Sequence, residues 1–215
     1  MSLSRRTVHY ACIAYSGGMP RLWDETIEEH RRAVREAVLD TTAALVAQRG
    51  LRAVTMSEIA EKTGIGRATL YKYFPDVETI LAAWHQGQID HHLAQLNQIR
   101  DQIAIPAERL EAVLTAYAHI QQERVRHHHD QTHGREFADL LHSDPQVDQS
   151  QRELHAMIRN LITDAIKSGT VRDDIPPNEL ASYCIHALNA AGHAPSEKSV
   201  ARLVTLTLAG MQPGS

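Results

Sequence analysis

Apolar positions along the chain recur at a spacing of three and four almost throughout, and no stretch alternates as a strand would. Val34, Ala37, Val38, Thr41, Ala44 and Leu45 form one stripe that Gly50 stops. Residues 54–74 then read V-T-M-S-E-I-A-E-K-T-G-I-G-R-A-T-L-Y-K-Y-F, two short helices about a tight turn. Thr55 and Glu58 have the spacing of a capping box, in which each side chain satisfies a backbone N–H of the other. Ile59 and Ala60 face inward, Gly64 suits a left-handed helix end and Gly66 an N-cap. Leu70 and Phe74, one turn apart, lie on the buried side of the second helix. Pro75 and Asp76 separate it from a long helix with Ile80, Leu81, Trp84, Ile89, Leu93 and Leu96 as its apolar series.

The same period continues downstream. Ile105-Pro106 opens a helix with Leu110, Val113, Leu114, Tyr117 and Ile120 on one face. A short amphipathic helix is expected over 136–141, with Phe137, Leu140 and Leu141 inward. Val147, Leu154, Met157, Ile158, Leu161, Ile162, Ala165 and Ile166 mark the next, closed by Gly169. Two final stripes follow, Leu180, Tyr183, Cys184, Ala187, Leu188 and Ala191, then Val200, Leu203, Val204, Thr207, Leu208 and Met211. The class is all-α.

A helix, a short glycine turn and a second helix carrying donors is the sequence form of a helix-turn-helix, whose second helix enters the major groove. Gly50, Thr55, Ile59, Ala60, Gly64, Ile65, Thr69, Leu70, Tyr71, Tyr73, Phe74 and Leu81 together resemble the tetracycline-repressor (TetR) family of regulators. The resemblance implies a three-helix DNA-binding head at 24–75, a connecting helix at 76–104 and a helical effector-binding and dimerisation domain at 105–215. Residues 1–23 are an N-terminal extension expected to be disordered. Met19 is the expected biological start, and Arg5 and Arg6 could alternatively act as a minor-groove arm. The pattern departs at Val77, where the family commonly places a lysine next to a phosphate.

Charge supports one-ended contact with nucleic acid. The 215-residue chain is net −4, with 43% hydrophobic, 22% charged and 5% aromatic residues. Residues 31–75 nevertheless hold eight lysines and arginines against four acids, while the remainder holds 14 basic and 22 acidic residues. A basic head on an acidic body meets phosphate with one end only. Arg67 and Lys72 are long cationic donors; Thr55 and Ser57 sit at a helix N-terminus that suits a phosphate oxygen. Ala68, Thr69 and Tyr71 lie toward the groove, and Tyr73 offers its hydroxyl to phosphate.

Other expectations rest mainly on the resemblance. A homodimer would form through Leu180, Cys184, Ala187, Leu188, Ala191, Val200, Leu203, Val204, Thr207 and Leu208, reading a palindromic operator in double-stranded DNA. An unidentified small-molecule effector would contact Trp84, Leu114, Tyr117, Phe137, Met157, Leu161 and Tyr183. The alternative is a helix-turn-helix regulator without a small ligand, controlled by a partner protein.

Chemistry of other kinds finds little support. His129 and His133 have the i, i+4 spacing of two metal ligands, yet neighbouring histidines diverge on a helix and no cysteine lies near. No metal and no cofactor is expected, and His85, His91 and His92 read as exposed helix histidines. A helical metal-dependent enzyme using His133, Glu136 and Asp139 is a remote reading, for there is no nucleophile with its base and no phosphate-cradling loop. Cys12 and Cys184 are far apart, and no run approaches the ~20 apolar residues that cross a bilayer, so a cytoplasmic, membrane-free protein is expected.

Overall fold

The computed structural model describes residues 21–129 and 145–213, and the side chains of 27–125 and 148–213. Among the described residues there are eight α-helices and no strand. They are α1 (Arg21–Arg49), α2 (Met56–Thr63), α3 (Arg67–Tyr73), α4 (Val77–Gln102) and α5 (Pro106–His129), then α6 (Pro145–Lys167), α7 (Pro177–Asn189) and α8 (Glu197–Ala209). Two short 3-10 turns, Leu51–Ala53 and Ala190–His193, punctuate them.

Chain contacts define two units, 1–37 and 38–215. The described part of the first is the opening of α1, which starts at Arg21, inside the stretch expected to be an extension. Its described side chains are mostly exposed, and Arg31–Glu28 and Arg32–Glu36 pair along it at 2.6 and 3.9 Å. Exposed pairs of this spacing contribute only about 0.3–0.5 kcal/mol each.

In the second unit a small core gathers Val38, Leu45 and Val46 of α1 with Ile59 and Ala60 of α2, Leu70 of α3, Phe74, and Val77, Ile80 and Leu81 of α4. Fully burying side chains of this size contributes about 1.5–3 kcal/mol each, which two short helices could not collect alone. Gly50 ends α1 at φ 83°, ψ 158°. Only glycine occupies that region cheaply, and its N–H still reaches the Val46 carbonyl at 2.8 Å.

The larger core joins Leu96 of α4 to α5–α8, and α5 packs against all of α4, α6, α7, α8 and the second 3-10 turn. Polar ties fix the seams. Arg109 donates to the Ile103 and Ala104 carbonyls, each at 2.7 Å, closing the bend between α4 and α5. Gln122, buried, donates to the Ala194 carbonyl at 3.1 Å.

The two final stripes turn inward. Leu180, Cys184, Leu188, Ala191, Val200, Val204 and Thr207 are at most 4% exposed within their own protomer. Leu203 and Leu208 pack half-buried on that core, and Ala187 is also half-buried. Seven of the ten residues expected at a dimer interface are therefore closed off by the chain's own packing. A wide apolar stripe satisfies its own core first. The outward faces instead expose Tyr183 (43%) and Leu206 (67%).

Candidate functional site

The head is built by local capping. Thr55 Oγ1 accepts the Glu58 N–H at 3.3 Å, starting α2. The expected reciprocal half of the box gives way to another contact, because the Glu58 carboxylate pairs with the Arg49 guanidinium at the end of α1. At the other end Gly64 adopts φ 70°, ψ 16°, and the Ile65 N–H reaches back to the Ala60 carbonyl at 3.1 Å. A left-handed residue here reverses the chain within two residues and satisfies carbonyls that the helix end would orphan. Gly66 then caps α3 through its carbonyl, which accepts from the Thr69 and Leu70 N–H groups at 2.9 and 3.0 Å.

One side of α3 is anchored and the other is free. Leu70 (1% exposed) and Phe74 (2%) hold it to the head core, whereas Arg67, Ala68, Thr69, Tyr71, Lys72 and Tyr73 are all exposed. Thr55 is exposed and Ser57 half-buried at the α2 N-terminus. Every DNA-contact residue named from the sequence is thus on or near the head surface. Val77 is buried in the head core and offers no donor to phosphate. Asp76 caps α4 by accepting the Thr79 N–H at 2.7 Å, and the hydrogen bonds from Thr79 hold its carboxyl below the usual range.

The body contains a cavity of about 380 Å³, partly open to solvent, between α4, α5, α6 and α7. Its apolar wall is Ile89, Leu93, Leu96, Ile120, Leu154 and Ile185. Its polar wall includes His85, His92, Arg124, His155, His186 and Asn189. Tyr117, also lining it, donates to Asn189 Oδ1 at 2.7 Å, and burial pushes its phenol pKa up. His155 Nε2 lies 3.0 Å from Ser182 Oγ. His186 Nδ1 donates to the Ser182 carbonyl at 2.7 Å, since a carbonyl can only accept. Burial, then the charges of Arg124 and His91, lower the His92 pKa, and Glu123 partly offsets them.

Of the seven effector contacts expected, Tyr117 lines this cavity. Leu114, Met157 and Leu161 are sealed in the core, and Tyr183 faces outward. Trp84 lines a separate recess with Asp40, to which its indole N–H donates at 3.2 Å. Phe137, His133, Glu136 and Asp139 lie outside the described residues, as does the side chain of His129. His85 and His92, expected to be exposed, are half-buried cavity residues; only His91 is exposed. Among the described residues no cluster of three or more metal-ligand side chains occurs, and no helix is long and apolar enough to cross a membrane.

A capped scaffold helix, a left-handed glycine turn and a second helix with its donors in solvent define a DNA-binding transcriptional regulator of the helix-turn-helix class. The model of bacterial regulatory proteins of the tetR family matches residues 38–84, and that of the SbtR-like transcriptional regulator C-terminal domain matches 111–213. The HTH-type transcriptional repressor KstR2 of Mycobacterium tuberculosis (strain CDC 1551 / Oshkosh) is 30% identical over 145 residues, 66% of this chain and 70% of that protein. The chain belongs to the TetR family, whose members are transcriptional regulators and not enzymes. Among solved structures, the ketosteroid transcriptional regulator KstR2 of M. tuberculosis superposes with a TM-score of 0.60 at 22% identity, covering 83% of this chain and 94% of that one. FadR of Bacillus subtilis in complex with stearoyl-CoA does so at 0.59 and 15%, covering 82% and 99%.

Proposed function

We propose that this chain is a homodimeric repressor that holds a palindromic operator with its two heads and releases it when a small molecule fills the body cavity. The division of labour follows the expected domains, a head at 24–75, a connecting helix at 76–104 and a body at 105–215. The observation that carries the reading is the course of α4. Val77, Ile80 and Leu81 are in the head core, while His85, Ile89, His92, Leu93 and Leu96 line the cavity on the same helix. An occupant of the cavity therefore pushes on the element that holds the recognition helix. For a hundredfold release it must favour the DNA-free form by about 2.7 kcal/mol.

The paired subunit belongs on the outward face of α7 and α8. Tyr183 and Leu206 are exposed there, and a Cβ placed on Gly210 would lie 2.9 Å from the Tyr183 hydroxyl oxygen. Leu206 is one turn before Gly210 and so shares its side of the helix. The apolar half of the cavity wall agrees with an effector having a lipid-like body, and the FadR relative was solved in complex with stearoyl-CoA.

The test begins with binding-site selection from genomic DNA. The doubly substituted Arg67→Ala, Lys72→Ala protein should lose the selected site while remaining a dimer by light scattering. Affinity of the unaltered protein should fall steeply between 50 and 200 mM salt, as expected when several phosphates are neutralised per dimer. Unchanged affinity of the variant, or a flat salt response, refutes the DNA-binding assignment.

A further inference from the structure

We infer that the body cavity takes a free monocarboxylate of medium length, its chain against the apolar wall and its charged end beside Arg124 and His92. This rests on the effector reading above and names the ligand class for that site.

Three observations combine. The first is sign. Arg124 is a permanent cation among the lining residues, which also include the imidazoles of His92, His155 and His186, and among the described residues no aspartate or glutamate lines the cavity. Among the described residues Arg124 forms no ion pair; its contact there is a neutral one, with Gln121 Oε1 at 3.3 Å. A planar guanidinium with free donors matches a carboxylate in geometry as well as charge. Glu123 acts on His92 less strongly than burial, Arg124 or His91 do.

The second observation is the division of the walls. Ile89, Leu93 and Leu96 of α4, Leu154 of α6 and Ile185 of α7 supply apolar lining, and Arg124, also lining the cavity, is exposed to solvent. Chain inward and charge outward leaves the anion partly hydrated, avoiding the large penalty of burying it whole. The third is size. At roughly 30 Å³ for each non-hydrogen atom, about 380 Å³ holds about a dozen of them, the size of decanoate. A nucleotide-conjugated acyl chain would have to leave its conjugate outside.

The experiment uses the full-length protein, with decanoate, decan-1-ol and decanoyl-coenzyme A as calorimetric probes and operator anisotropy read in parallel. Decanoate should bind once per protomer, and Arg124→Gln should weaken it about tenfold or more while leaving decan-1-ol unchanged. Arg124→Lys, which keeps the charge, should recover most of the loss. Equal binding of the alcohol, or indifference of decanoate to Arg124→Gln, overturns the inference. So does tighter binding of the coenzyme A conjugate than of the free acid. Decanoate that binds as expected without releasing operator upholds the ligand class and refutes the effector reading. Release by decan-1-ol as well as decanoate does the reverse.

Discussion

Gly192 is buried in the second 3-10 turn with α5 directly in front of it. A Cβ added there would lie 2.6 Å from Val125 Cγ2, 3.3 Å from the Gln121 carbonyl oxygen and 3.4 Å from Val125 Cβ. Carbon atoms rest at about 3.5–4.0 Å, so the turn must retreat by about 1 Å. Neither neighbour yields cheaply. A β-branched residue in a helix has one strongly favoured rotamer, and the carbonyl belongs to α5 itself. Overpacking of this kind costs about 1–3 kcal/mol. Gly→Ala also reduces the freedom of the unfolded chain, worth about 0.4–1 kcal/mol at a compatible position, and the φ of Gly192 is not positive. Gly192→Ala should therefore lose about 1–2 kcal/mol, a fall in Tm of about 2–8 °C for a chain of this size. Urea unfolding at one fixed protomer concentration measures it, because the stability of the proposed dimer would depend on concentration. Val125→Ala removes the obstructing methyls, so the double variant should be more stable than the two single losses predict, by about 1 kcal/mol. Additive losses, or a neutral Gly192→Ala, would show that the close approach of turn and helix is not what fixes glycine there.

Asp76→Ala should cost about 1 kcal/mol at neutral pH through loss of the α4 cap. Because the folded carboxyl titrates below the unfolded value of about 3.9, that contribution is complete above this value and fades as pH falls through the folded pKa; a pH-independent difference from wild type would refute the account. Burial pushes the Cys184 thiol up to about 12, so it should resist alkylation at pH 8 in the folded protein and react on unfolding, as mass spectrometry can follow. Leu206→Glu should convert the dimer to monomer in light scattering with the helical circular dichroism unchanged, and a persistent dimer would remove the α7–α8 outer face from the interface.

Much of the head was legible because its instructions are local. Thr55, Gly64, Gly66 and Asp76 act on backbone groups within a few residues, and Leu70 with Phe74 separates the buried side of α3 from Tyr71 and Tyr73. What failed to show was long-range. Periodicity says which residues share a face, not which neighbour that face meets, so the α7 and α8 stripes were assigned to a partner when their own core claimed them. Glu58 found Arg49, nine residues earlier, in place of its own helix start. A cavity in the body was expected, but apart from Tyr117 its lining was missed for a related reason. Its most apolar neighbours are consumed by packing, and its lining comes from the margins of four helices, where His85, His92, His155 and His186 fall far apart in the chain. Histidines interrupting the edge of an apolar stripe were the available signal.

The length of α4 sets a mechanical ratio. From Leu96 to Val77 the helix climbs nineteen residues, or about 28 Å at 1.5 Å each. In the proposed dimer, a wedge that swings it by about 5° at the far end would sweep the near end through about 2.5 Å, and the two-fold axis would double that to about 5 Å between recognition helices. Adjacent major grooves recur every ~34 Å and tolerate little error in stride. On that proposal a displacement smaller than the width of one side chain would be geared up into a mismatch with the double helix, without either head having to change its own fold.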